Sequence, residues 1–428
     1  MDKLPENMIE TAIKSAQQME RAAAKLPILR SVSWKAQVKT DYLAHGRLPA
    51  PDYIPVDTTT ARGILDNIHI DRAAHPVYDW LRRLQGTLTT TADLLDHRGT
   101  AEFYTYSKVL YGAPDEVTLD GKTTVIDLAE HMERIFAGMS IGALNLGAED
   151  KTFSAPEFAD SLSKPLDRFF GADRPVVKIV DDISAKAIAG SKRIRLREDA
   201  QFTDRDLDQL LQHEAYIHAG TAKNGQRQDA FPILGRAHAG TTEIQEGLAV
   251  FAEIISGAMD PHRFRRLSDR IHAINMAAQG ADFNEVFEFY MGRSDDPNKA
   301  YNNTFRVFRG GLVSGGAPFT KDLVYLKGLM RVHNFLRTVV SLERVDLIRL
   351  LFVGKLDVEY VPALAYLRKE GLIHKPKYLP PWVKDLRFLV SYLAYSAFLN
   401  QVKLPGFQSY YADALKEAPN ISDKDSSS

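Results

Sequence analysis

The sequence predicts an α+β protein, mostly helical, with a small sheet. Three observations carry this: helical periodicity recurs along most of the 428 residues, strand signals are few and short, and no fixed-period repeat is present. Apolar residues return at helical spacing around 7–25, 76–96, 127–139, 156–169, 203–219, 241–258, 261–278, 321–340, 358–370 and 381–402. Strand character is confined to three places. Val117 to Val125 reads as a hairpin about Asp120-Gly121, Val176 to Val180 is β-branched and apolar, and Arg193 to Arg197 alternates as RIRLR. Pro- and Gly-containing junctions near 112–116 and 341–357 divide the chain into a helical part over 1–115, a mixed core over 116–345 and a helical part over 346–421. The last residues, 422–428 (SDKDSSS), are too polar to bury anything and read as a disordered tail.

Composition narrows the function classes. The 54 Lys+Arg balance 55 Asp+Glu, so there is no basic excess to hold a nucleic acid or an anionic membrane. With 0 Cys, thiolate metal sites, disulfides and cysteine nucleophiles are excluded, and any metal must sit on His and carboxylate. The first 25 residues carry acids and amides where a signal peptide needs an apolar run. Phe388 to Leu399 is shorter than the ~20 residues a membrane span requires and holds Ser391, Tyr392, Tyr395 and Ser396. A cytoplasmic protein without nucleic-acid or membrane partners is expected.

The chemistry concentrates in the central part. Thr203 and Asp206 form a capping-box-like start to a helix that runs into His213-Glu214-Ala215-Tyr216-Ile217-His218, an H-E-x-x-x-H string. Histidines four apart differ by only ~40° around a helix and can grip one ion, whereas five apart they differ by ~140°. The string therefore demands a distortion, a π-bulge or a local unwinding before Gly220, to bring His218 back beside His213. A second helix, Gly240 to Phe251, begins with threonines and acids and has small residues at 247 and 249 that let another helix approach. It offers a third ligand, Glu246, with Glu243 as competitor. Two His and one Glu leave the fourth position open for water, as in a catalytic zinc site. Against this stands the plainer reading of acids decorating a helix N-terminus.

His213 to His218, the Gln245-Glu246-Gly247-Leu248-Ala249 string and Phe319-Thr320-Lys321-Asp322-Leu323-Val324-Tyr325-Leu326 together resemble the QEGLA-motif family related to the microtubule-associated tyrosine carboxypeptidases. The resemblance spans at least 176–340. It implies a zincin-like metallopeptidase core, one zinc ion on His213, His218 and Glu246, and Glu214 as general base. It also implies a peptide or protein C-terminus as substrate, with tyrosine or another aromatic residue removed.

A carboxypeptidase has to recognise a free carboxylate, which Arg binds bidentately. Arg306, Arg309 and Lys321 flank a Gly-rich stretch and are the candidates for substrate binding, each against the alternative of a structural salt bridge. Tyr325, one turn beyond Lys321, could donate a hydrogen bond to the tetrahedral oxyanion; a half-buried structural aromatic is the competing role. The Arg193–Arg197 strand is a candidate edge on which an extended peptide adds. The alternative from another class is a regulatory or scaffolding protein that keeps the metal site with little hydrolytic activity; Glu214, needed only for chemistry, weighs against it.

Overall fold

The computed structural model describes residues 3–137, 151–183, 185–401 and 411; the tail over 422–428 lies outside them. Helix accounts for 64% of the described residues and strand for two small sheets, so the α+β, mostly helical expectation holds. The residues fall into two compact units, Met1–Lys384 and Asp385–Ser428, the second containing the helix Arg387–Leu399. No helix among the described residues is long and apolar enough to cross a membrane.

Within the first unit the expected helices form close to their predicted bounds, among them Glu6–Ala23, Pro76–Asp96, Ala155–Phe170, Ala239–Ile255, Pro261–Ala278 and Val324–Ser341. Elements far apart in the chain pack directly on one another. The Ser107 hydroxyl meets that of Thr320 at 2.8 Å, and the Asn224 amide donates to the carbonyls of Phe352 and Tyr378.

The strand readings at 176–180 and 193–197 are realised as β2 (Val176–Val180) and β4 (Arg193–Arg197). Three shorter strands join them: β1 (Thr152–Phe153), β3 (Ala187–Ala189) and β5 (Phe202–Thr203). The main sheet has the order β2-β4-β3, with β4 parallel to β2 and antiparallel to β3, while β1 pairs with β5. The RIRLR alternation works as read, with Ile194 and Leu196 buried and the arginines on the other face. The edge role expected of this strand is corrected, because neighbours on both sides take up its backbone groups. The sheet edge beside the Leu211–Ala219 segment is β3 instead. Ile188 pairs with Arg195 of β4, so alternation turns the N–H groups of Ala187 and Ala189 away from the sheet. The segment at Val117 to Val125 is reduced to one bridge, Val117 to Thr124, around a turn whose Asp120 carboxylate accepts from the Lys122 and Thr123 amides.

The sheet and the Ala155–Phe170 helix make one wall of a core. Phe158 stacks on Phe202 at 4.2 Å, and these rings with Leu162, Leu166, Phe170 and Leu196 bury Leu210, Leu211, Ala215 and Ala219. The opposite side of that central segment packs on Ala239–Ile255, which is crossed in turn by Val324–Ser341. At the crossing the backbones nearly touch: a Cβ on Gly247 would lie 2.1 Å from the Gly328 carbonyl carbon, and one on Gly328 2.1 Å from the Glu243 oxygen. The close approach expected of residue 247 is thus met by a second glycine.

Candidate metal centre

The distortion required by the H-E-x-x-x-H spacing is present. Thr203 caps a helix that starts as α at Asp204–Leu210, with Asp206 completing the capping box, and continues as a π-helix over Leu211–Ala219. With i→i+5 hydrogen bonding, residues five apart come nearly one above the other. The rings of His213 and His218 accordingly stand 4.8 Å apart, nearly perpendicular, and both residues are buried.

Glu246 reaches them from the Ala239–Ile255 helix. Its Oε2 lies 3.4 Å from His213 Nε2 and 3.5 Å from His218 Nε2 and makes no hydrogen bond within the described residues. One ligand atom from each of the three residues falls within 4.8 Å of the others. Tetrahedral ligands ~2.1 Å from one ion lie ~3.4 Å apart, so the two nitrogen–oxygen distances fit a shared cation better than a hydrogen bond. The charge balance points the same way. Burial opposes protonation of His213, yet Glu246, Glu253 and Glu214 push its pKa up to about 10. Burial likewise opposes ionisation of Glu246, and His218, His213 and Lys321 hold it well below the usual carboxylate range. With Glu253 paired to Arg263, the Glu246 and Glu214 carboxylates beside the same imidazole make a setting that suits a divalent cation. Glu243, the competing third ligand, is engaged elsewhere, by Lys327 at 3.4 Å and Arg331 at 3.0 Å.

Two supporting residues went unread in the sequence. The fully buried carboxylate of Glu253 takes the other nitrogen of His213, Nδ1, at 2.6 Å, and Arg263 grips the same carboxylate. A proton on Nδ1 leaves the Nε2 lone pair facing Glu246 and His218. Glu253 follows Glu246 by seven residues, two helical turns on the same face, which is the signal that could have found it. Lys355 is buried, and its ammonium donates to Gln245 Oε1 at 3.1 Å, beside the Thr221 hydroxyl at 2.8 Å. Burial pulls its pKa down to about 8, with Glu246 and Glu214 opposing. Nothing near it in sequence marks it.

Glu214 lies beside the constellation without belonging to it. Its Oε2 accepts the Ala189 N–H of edge strand β3 at 2.8 Å, and its Oε1 stands 4.0 Å from His213 Nε2.

The remaining candidates form a second cluster. Lys321 Nζ is 3.9 Å from Glu246 Oε1 and 5.7 Å from the centre of the Tyr325 ring. Arg306 binds Asp322 through two contacts of 2.6 and 2.9 Å and donates to the Tyr325 hydroxyl at 3.2 Å. Its fork is therefore filled by the protein's own carboxylate. Arg309 is buried against the rings of Phe305 and Phe319, its Nε without a partner in the described residues. Burial and the neighbouring Arg306 pull its pKa to about 10.

A π-helix presenting two histidines, a facing helix presenting a glutamate and a further carboxylate alongside define a site of the HExxxH type, able to hold a metal ion. Residues 42–401 match the family model described as microtubule-associated tyrosine carboxypeptidase, and the chain belongs to that family. No curated protein matches the chain.

Proposed function

We propose that this protein is a zinc-dependent carboxypeptidase that removes a terminal tyrosine or another aromatic residue from a peptide. The observation that carries the reading is the convergence of His213, His218 and Glu246 on one point beside a carboxylate, Glu214, that is not one of the three. The family's description supplies the tyrosine and the exopeptidase character.

A zinc ion held by the three residues would acidify a water and polarise a carbonyl. Glu214 is the proton carrier. The Ala189 N–H fixes one of its oxygens, and the other takes the proton of the attacking water and delivers it to the departing amine. No covalent intermediate is required. Tyr325 serves as oxyanion donor: a guanidinium has no lone pair to offer, so Arg306 only donates to the phenol oxygen, and the phenol proton remains available for the carbonyl oxygen as it gains charge. Arg306 thereby becomes a positioning residue held by Asp322.

The test is hydrolysis of peptides of varied C-terminal residue by zinc-loaded protein, followed by mass spectrometry. Loss of one terminal tyrosine or phenylalanine, abolished by a chelator and restored by zinc, is expected. Equal cutting of amidated and free peptides at internal bonds would make the protein an endopeptidase.

A further inference from the structure

A cleft of about 830 Å³ runs between the 29–39 segment, the helix Pro297–Phe308 and strands β3 and β4. Its walls carry the rings of Trp34, Tyr301 and Phe305 and charges of both signs. Of the cations that line it only Arg309 is buried, at 6% exposure. The Arg309 guanidinium lies against two rings, 5.4 Å from the centre of Phe305 and 5.8 Å from that of Phe319. No hydrogen bond or ion pair engages it within the described residues, and its Nε is closed off from solvent.

The acids in its neighbourhood are committed or remote. Both oxygens of Asp322 are taken by Arg306, at 2.6 and 2.9 Å. Within the cleft, Asp182 pairs with Arg195 at 3.8 Å and Asp199 with Arg197 at 2.5 Å. Asp181 and Glu198 stand exposed to water and are not among the groups that chiefly act on Arg309. Burial and then Arg306 bear on the Arg309 charge, and Asp322, Tyr325 and Tyr111 offset them only in part. A buried cation without a hydrogen-bonded counter-charge is costly, and a second guanidinium three residues away adds to the cost. An anion entering from the cleft would remove both penalties.

We propose that Arg309 holds a monovalent inorganic anion, chloride in ordinary media, at the buried end of this cleft. A guanidinium presents its Nε–H and Nη–H groups side by side, and one anion can accept both. The rings of Phe305 and Phe319 make the surroundings apolar, where a weakly hydrated monoatomic ion gives up less on leaving water than a carboxylate or a phosphate does. The bound charge also shields Arg309 from Arg306 and so steadies the contacts of Arg306 with Asp322 and Tyr325. The site is independent of the peptidase reading, because a resident anion needs neither zinc nor peptide.

The test follows urea unfolding of the full chain while sodium chloride replaces sodium gluconate at constant ionic strength. The wild-type folding constant should rise about tenfold for each tenfold increase in chloride above the dissociation constant. Arg309→Met should show no such rise. In gluconate alone the variant should be at least as stable as wild type, since it loses a stranded charge. Wild-type crystals grown in bromide give a readout that needs no variant, an anomalous peak beside the Arg309 guanidinium. Soaking those crystals with a tyrosine-ended peptide should leave the peak in place. No peak at Arg309, or a chloride response equal in the two proteins, would overturn the assignment. Displacement of bromide by the peptide would overturn it as well, by giving the guanidinium to substrate, and the peptidase reading would stand in each of these cases.

Discussion

Two charged clusters meet at Lys321, and they are built on opposite principles. On one side His213, His218 and Glu246 bring ligand atoms to one point and leave Glu246 Oε2 without a hydrogen bond among the described residues. On the other, Arg306 and Asp322 close on each other through two hydrogen bonds and hold Tyr325 with a third contact. Buried polar groups are normally paired, so the first arrangement is a structure waiting for a partner, whereas the Arg306–Asp322 pair is complete in itself. Clustering of charge alone does not distinguish them; the state of the lone pairs does.

The sharpest way to break this contrast is at Glu214, which touches the first cluster without being part of it. Glu214→Gln should keep the metal content and melting temperature and lose ~10²- to 10⁴-fold in kcat/KM, the usual cost of a missing general base. Retained activity would leave the metal site with a scaffolding role. Loss of metal in the variant would move Glu214 into the ligand set.

The complete cluster should fail differently. Asp322→Ala strands the buried Arg306 charge, and breaking such a pair costs about 3–5 kcal/mol in stability. Urea unfolding measures it. The counterpart in the first cluster, His218→Ala, should empty the site of metal while the metal-free fold unfolds near the wild-type denaturant concentration. A large stability loss in both would mean that the two regions are alike.

How much of this the sequence disclosed follows from the range of each interaction. The H-E-x-x-x-H string and its π-helical distortion are local, so residue spacing alone demanded the distortion that the structure contains. Ala239–Ile255 and its glycine crossing were readable for the same reason. Two helices near the second cluster, Phe283–Met291 and Pro297–Phe308, went unread although Asp282 with Glu285 and Asp296 with Pro297 mark their starts. Their lengths, 9 and 12 residues, give a periodicity too little room to show. Strand order has no local signature either, so β4 could be recognised as a strand but not as the middle one. Arg306 has its counter-charge sixteen residues away, a tertiary fact that no local pattern carries.

Glu253 tests whether the first cluster extends beyond its three ligand candidates. If its carboxylate fixes the His213 ring and proton, Glu253→Gln should weaken zinc binding ~10- to 100-fold, read by competition with a chromophoric chelator. The amide keeps the shape but not the charge, so unchanged affinity would reduce Glu253 to a partner of Arg263.

The smallest effect checks that a buried nitrogen without a partner is not by itself a ligand. His238 Nδ1, at the start of the Ala239–Ile255 helix, is also buried and unpartnered among the described residues, and the charge acting on it is that of Arg236. Burial, then Arg236, lowers its pKa from 6.5 to about 4. The unfolded chain therefore takes up this proton first as pH falls. The stability His238 allows is fully present above pH 6.5 and is lost between 6.5 and 4, by ~1.4 kcal/mol for each unit in that window. His238→Asn removes the titration and keeps a good N-cap residue. Urea unfolding at pH 7.0 and 5.5 should show wild type losing about 1 kcal/mol more than the variant over that interval. Equal losses would mean that His238 protonates in the folded state, and its exclusion from the ligand set would then need other grounds.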